Sequence, residues 1–171
     1  MAECSSGIVK ITSTSERQTI AVGRVVGAAL EERDVVLLSG ELGAGKTRFV
    51  EGMTRGINAD SETRSPTFVL VNEYIGRLML AHCDLYRLSG PEEIGELGLD
   101  DYLARDAALA VEWPERARGE FPVEALELAL DFGDAPDDRV ITARGMGEGP
   151  QRLLNAMRNA FEEDTISGGD Q

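Results

Sequence analysis

Gly40-Glu41-Leu42-Gly43-Ala44-Gly45-Lys46-Thr47 carries the densest potential chemistry in this 171-residue sequence. Its residues fill every fixed position of the pattern G-x-x-x-x-G-K-[ST], in which a backbone loop cradles phosphates. Glycines there let the chain take positive φ and turn several N–H groups into one concavity. The apolar run Val35-Val36-Leu37-Leu38 precedes the loop, and a helical pattern to Ile57 follows it. The start of such a helix adds the positive end of its dipole, about half an elementary charge. Lys46 supplies a point charge for terminal phosphates and Thr47 a hydroxyl for magnesium. Leu42, Gly43, Ala44, Gly45, Lys46 and Thr47 are therefore the candidate nucleotide-binding run, against the alternative of a Gly-rich turn without a ligand. Only Lys10 and Lys46 are lysines, and the other basic residues are arginines. A single flexible ammonium suits this slot, where arginine would bring a wide planar fork.

Three further clusters have residue types suited to the same chemistry. Ala108-Leu109-Ala110-Val111-Glu112 is an apolar strand ending in an acid. If it lies beside Val35–Leu38, Glu112 emerges at the sheet edge where Thr47 sits, and open α/β sheets bind ligands at that edge. A carboxylate there can hold magnesium or orient an attacking water. In His82-Cys83-Asp84-Leu85-Tyr86, strand alternation puts His82, Asp84 and Tyr86 on one face and Cys83 and Leu85 on the other. Asp84 is a second carboxylate candidate for metal or water. His82, the only histidine, suits either the site or a structural hydrogen bond. Ser65-Pro66-Thr67 reads either as a loop ordered by a terminal phosphate or as a plain turn. Trp113, the only tryptophan, is either a core aromatic or a lid over the site. Neither lysine lies in an Asn-Lys-x-Asp base reader, so guanine specificity has no motif here. Asp131-Phe132-Gly133 lacks the catalytic loop that would make it a kinase signature.

The elements that must position these groups follow from periodicity. Gly7–Thr12 reads as a strand, and Ser13 with Glu16 as a capping box for a helix to about Glu32. Asp34–Ser39 is a buried strand and Lys46–Ile57 a helix, followed by a polar loop to Pro66. Thr67–Ile75 and Leu78–Leu85 read as a hairpin turning at Gly76-Arg77. Gly90-Pro91 opens a short helix to about Leu97, and Ala107–Val111 is a strand. Leu126–Phe132 and Arg139–Ala143 are strands around Gly133-Asp134-Ala135-Pro136. A helix from Pro150 carries Leu153, Leu154, Met157 and Phe161 on one side. The expected fold is α/β, a three-layer arrangement of the P-loop NTPase kind, with a mostly parallel sheet and antiparallel hairpin additions. Residues 1–161 are expected to form one domain and 162–171 a disordered tail.

The formal net charge of −14 disfavours tight, sequence-independent nucleic-acid binding by this chain, because such affinity comes from neutralising phosphates. Cys4 and Cys83 lie in no metal or C-x-x-C spacing and read as unpaired thiols in a reducing compartment. No basic segment leads into a long apolar one, so no signal peptide is expected. No apolar run reaches about 18 residues, so no membrane span is expected and the location reads as cytoplasmic.

Gly40–Thr47, Ser65-Pro66-Thr67-Phe68, His82-Cys83-Asp84-Leu85-Tyr86-Arg87-Leu88 and Val111-Glu112-Trp113-Pro114 occur in this order. Together they resemble the TsaE family, the ATPase of bacterial tRNA threonylcarbamoyladenosine biosynthesis, from about Ile11 to Val123. The resemblance implies a small ATPase that docks on two partner subunits, TsaD and TsaB, and with a net charge of −14 contact with tRNA is expected only indirectly, through them. It implies that Lys46 and Thr47 hold ATP and magnesium (Mg2+), that Glu112 contributes to the metal, and that Asp84 is needed for hydrolysis. Thr19, in the N-terminal segment, is the implied further nucleotide contact. No arginine is obviously placed as a finger, and Arg64, Arg87 and Arg116 are all candidates. The expected activity is a magnesium-dependent ATPase, slow alone and faster with partners. A small-molecule kinase and a nucleotide-sensing interaction module are the alternatives.

Overall fold

A computed structural model describes residues 7–60, 70–90, 92–117 and 119–161. Cys4, Arg64, Ser65-Pro66-Thr67-Phe68, Pro91 and the 162–171 tail lie outside the described residues. Strands β1 (Val9–Ser13), β2 (Val35–Ser39), β3 (Val71–Ile75), β4 (Met79–Asp84), β5 (Ala108–Glu112), β6 (Leu126–Phe132) and β7 (Arg139–Arg144) join in one sheet. Its order is β1-β7-β6-β2-β5-β4-β3. The inner pairings β6–β2, β2–β5 and β5–β4 are parallel. The outer pairings β1–β7, β7–β6 and β4–β3 are antiparallel. This is the expected α/β class, a parallel core with antiparallel edges.

The central strands β2 and β5 are apolar up to their last residues, Ser39 and Glu112, because both faces of the sheet are covered there. Every residue of β5 is buried. On one face α1 (Glu16–Ala29), α2 (Lys46–Gly56) and α5 (Glu148–Phe161) pack Val22, Val26, Phe49, Met53, Leu153 and Met157 onto Leu38, Ala108, Ala110 and Leu128. On the other, α3 (Glu92–Gly95), α4 (Leu99–Ala104) and a 3-10 turn at Pro114–Ala117 pack Ile94, Leu99 and Ala117 onto Ala81, Cys83, Leu109 and Val111. Cys83 is buried, and desolvation pushes its thiol up to about 12, which keeps it protonated and inert.

Helices α1 and α2 touch through glycines spaced four apart, Gly23 and Gly27 against Gly52 and Gly56. A Cβ on Gly23 would lie 2.0 Å from the Phe49 carbonyl oxygen, and one on Gly52 2.1 Å from that of Ile20. Only hydrogen fits between these backbones, so the loop-bearing helix is seated directly on α1.

Three local expectations change. The α1 cap is Ser15, which accepts from the Gln18 N–H at 3.2 Å, while the Gln18 side chain accepts from the Thr14 N–H at 2.7 Å. Ser13 is instead committed to Thr19, at 2.6 Å. The β3–β4 turn closes over Gly76, Arg77 and Leu78, with the Gly76 N–H donating to the Leu78 oxygen at 3.0 Å. Helix α4 appears where no element was expected. Its left-handed entry at Gly98 and the acidic pair Asp100 and Asp101 in its first turn are the local features that start it.

Candidate functional site

Strand β2 feeds the glycine loop, and the loop enters α2 at Gly45, whose φ of 98° is a left-handed value that disfavours any side chain. A cleft of about 360 Å³ opens above this turn. Its walls include Thr19, Leu42, Gly43, Gly45, Lys46, Thr47, Asp84, Glu112 and Trp113, all singled out in the sequence. Glu16, Arg48, Tyr86, Asp137 and Arg139 complete them. Ala44 is not among the wall residues. Its methyl lies in the core, and its N–H donates to the Glu41 oxygen at 3.0 Å. Leu42 is 72% exposed at the loop tip.

The parallel register explains how the acids arrive. Leu38 pairs with Glu112 across β2–β5, and Asp84 pairs with Glu112 across β5–β4. Three strand ends therefore stop at one level, beside the start of α2. Thr47 Oγ1 donates to Glu112 Oε1 at 3.0 Å. His82 Nε2 meets the same oxygen at 2.8 Å, with both side chains out of water. His82 thus falls on the structural-hydrogen-bond side of its two readings while still touching a site carboxylate. Its Nδ1 is buried without a hydrogen-bond partner among the described residues, and its ring lies 6.4 Å from that of Tyr74. An unprotonated Nδ1 in a dry pocket costs less than an orphaned N–H, which favours the tautomer with the proton on Nε2 and pointing at Glu112.

Asp84 Oδ1 accepts the Tyr86 N–H at 3.0 Å, a turn that fixes the carboxylate at the strand end. Burial pushes its pKa above the ordinary carboxylate value and the neighbouring Glu112 adds to this. The Tyr86 N–H, His82 and Lys46 work against the rise. Lys46 is only 4% exposed, and burial lowers its pKa against the opposing pull of Glu112, Asp84 and Glu115. Its Nζ donates to the Gly40 and Glu41 oxygens at 2.6 and 2.9 Å and stands 4.2 Å above the Trp113 ring.

Trp113 belongs partly to the core and partly to the cleft wall. It packs against the second core cluster and lines the cleft, with Tyr86 4.9 Å away. Its φ of 59° is strained for a bulky residue, and its N–H donates to the Leu38 oxygen at 3.1 Å, tying the strain to β2.

Thr19 borders the cleft through its methyl, which would lie 3.6 Å from a Cβ on Gly45. Its hydroxyl bonds Ser13 instead of facing the cleft. Of the expected arginines, Arg116 stands 5.7 Å from the Tyr86 ring and Arg87 is exposed, and neither is a cleft wall. Arg139 and Arg48, neither of them anticipated, are walls. Arg139 Nη2 donates to the Gly43 oxygen at 3.2 Å, across 96 residues of chain.

The donors gathered beside the phosphate loop, a hydroxyl and two carboxylates, are all hard oxygens. Among the described residues no group of three or more His, Cys, Asp or Glu could hold a metal on its own. One or two carboxylates completed by substrate phosphates and water is the arrangement that suits magnesium.

The family model described as threonylcarbamoyl adenosine biosynthesis protein TsaE matches residues 13–141. A tRNA threonylcarbamoyladenosine biosynthesis protein TsaE of Treponema pallidum is 39% identical over 122 residues, covering 71% of this chain and 90% of that protein. The protein of the same description from Bacillus subtilis is 35% identical over 151 residues, covering 87% and 93%. The crystal structure of Bacillus subtilis YdiB superposes with a TM-score of 0.78 at 28% identity, over 92% of this chain and 99% of that one. Among the described residues no helix is long and apolar enough to cross a membrane.

Proposed function

The chain belongs to the TsaE family of tRNA threonylcarbamoyladenosine biosynthesis proteins, and from that membership we propose that it is a magnesium-dependent ATPase serving the threonylcarbamoylation of adenosine in tRNA. TsaD and TsaB are its partner subunits in this reading. A net charge of −14 fits contact with tRNA made through them and not by this chain directly.

The observation that carries the reading is the meeting of Thr47 and Glu112 at 3.0 Å beside the phosphate loop, with Asp84 paired to Glu112 on the next strand. The loop N–H groups and the start of α2 hold the phosphates. Lys46 spends two of its three N–H donors on loop oxygens and keeps one for a phosphate oxygen. Thr47 and Glu112 are the residues that would hold magnesium. When bound, the metal would offset the negative charge of the phosphates. Asp84, held by the Tyr86 N–H and made more basic by burial, orients the attacking water and takes its proton. The water oxygen bonds the terminal phosphorus, and the bond to the oxygen of the departing diphosphate breaks.

Phosphate release from ATP, measured with the partner subunits present, tests this. Wild type is expected to turn over only with magnesium. Asp84→Ala and Glu112→Ala are expected to keep ATP affinity within a few-fold while losing about 100-fold or more in rate. Wild-type rates from either variant would remove that residue from the mechanism.

A further inference from the structure

Among the described residues, the acid end of the cleft is short of free positive charge. Asp84 and Glu112 face the terminal phosphate there, and Lys46 has one N–H left for its oxygens. Two described arginines line the cleft, and both are committed elsewhere. Arg48 is paired with Glu16 at 3.1 Å and with Glu51 at 2.8 Å. Arg139 donates to the carbonyls of Pro136, Asp138 and Gly43, and its strand β7 lies on the other side of β2 from the acids.

Arg116 is placed differently. It belongs to the 3-10 turn Pro114–Ala117, which directly follows Glu112 and Trp113. That turn is pinned at both ends. The Trp113 N–H donates to the Leu38 oxygen at 3.1 Å, and Ala117 is buried in the core. Inside it the Arg116 N–H donates to the Trp113 oxygen at 3.0 Å. The turn also lies within electrostatic reach of the site. Burial lowers the Lys46 pKa, and Glu115, beside Arg116, is one of three acids that pull the other way. The Arg116 side chain, by contrast, is exposed, and among the described residues its guanidinium makes no hydrogen bond or ion pair. It rests 5.7 Å from the ring centre of Tyr86, a cleft wall that itself stands 4.9 Å from Trp113. A cation on an exposed aromatic face is held weakly, and exposed side chains change rotamer within nanoseconds. The guanidinium can therefore pass around Tyr86 into the cleft while the backbone stays where it is.

We propose that Arg116 is a catalytic residue of ATP hydrolysis, turning past Tyr86 to bind the oxygens of the terminal phosphate as its bond to the departing diphosphate breaks. The inference rests on the ATPase reading above and adds the cation that this reading lacks. Arg116 transfers no proton. It stays charged and donates N–H bonds to oxygens whose negative charge is greatest in the transition state. An arginine in this role raises the rate of phosphoryl transfer by about 1,000-fold or more.

Phosphate release from magnesium-ATP, measured with saturating partner subunits, tests this. Arg116→Ala is expected to lower kcat by about 100-fold or more while KM for ATP stays within about threefold of wild type. Arg116→Lys, which keeps a charge and loses the planar fork, is expected to fall between the two. Arg105→Ala is the control. Arg105 also rests on a tyrosine face, 5.8 Å from Tyr102, but it follows α4 and precedes β5, at the opposite end of that strand from Glu112. It should turn over like wild type. Melting temperatures near wild type establish that the variants are folded. A kcat for Arg116→Ala within about threefold of wild type overturns the proposal. So does a loss that disappears as the partner concentration is raised, which would make Arg116 a docking contact. Wild type without turnover under these conditions would overturn the ATPase reading itself, whatever Arg116 does.

Discussion

His82 Nε2 lies 2.8 Å from Glu112 Oε1, and the two side chains are 0% and 4% exposed. The same oxygen receives the Thr47 hydroxyl at 3.0 Å. Two donors on one oxygen fix the carboxylate plane and leave Oε2 for other work. His82 is thus a positioning residue for the group proposed to hold magnesium. Partners of this kind typically change metal affinity by about 10- to 100-fold when removed. His82→Ala is expected to raise the magnesium concentration for half-maximal ATP hydrolysis about tenfold. His82→Gln, whose amide N–H reaches a similar place, should recover part of it. A magnesium requirement unchanged in His82→Ala would make the contact purely structural.

Asp84 has a stability signature that opposes its proposed catalytic role. Burial raises its folded pKa above the ordinary value of 3.8. Between the unfolded and folded values the folded state binds more protons, so stability falls as pH rises through that window. Above it the full cost of the buried charge is present, and below pH 3.8 it is gone. Asp84→Asn should therefore melt higher than wild type at neutral pH, with the gain vanishing toward pH 3.8, while its hydrolysis collapses. Equal melting temperatures at neutral pH would show that the carboxylate is better solvated than its position indicates.

The α1–α2 contact makes a sharp prediction from packing alone. Gly52→Ala drives a methyl to 2.1 Å from the Ile20 oxygen, and backbone cannot step aside as a flexible side chain would. Overpacking of this kind costs about 1–3 kcal/mol. The melting temperature should drop by several degrees, and ATP affinity should fall with it because α2 begins at the phosphate loop. Gly95→Ala, where nothing lies within 4 Å, is the control and should be close to neutral. If Gly52→Ala melts like Gly95→Ala, the helices are not in the contact described.

The phosphate loop was legible because its chemistry is local, with every fixed position inside Gly40–Thr47. Glu112 was legible one step further out, since a buried strand ending in an acid has few places to go beside β2, and the register Leu38–Glu112 put it there. Arg139 was not, because its bond to Gly43 spans 96 residues and no local pattern marks one arginine among many. The cap was misplaced because Ser13-Thr14-Ser15 offers three adjacent hydroxyls, and only the long-range commitment of Ser13 to Thr19 decides among them. The glycines at 23, 27, 52 and 56 were in plain view. Their four-residue spacing was a readable signal for two helices in backbone contact, and it bears on the site because it seats α2.

Trp113 offers a direct optical handle on Lys46. The ammonium stands 4.2 Å above the ring centre, and there is no other tryptophan in the chain. A nucleotide that engages Lys46 changes the charge over the indole, so magnesium-ATP should shift the emission of wild type. Lys46→Ala should start from a different emission and respond little. A flat wild-type response, with binding established separately, would place the phosphates away from this lysine.

The most direct measurement is calorimetric titration of magnesium-ATP into wild type and into Lys46→Ala, with melting curves for both. Lys46 faces the cleft and its bonds are to loop oxygens, so the variant should fold and melt close to wild type. Wild type is expected to bind one ATP saturably, and the folded variant to lose about 10- to 100-fold in affinity, as the one charge-assisted contact left to Lys46 for phosphate would give. Unchanged affinity in a normally folded Lys46→Ala would contradict the nucleotide site, and with it the ATPase reading.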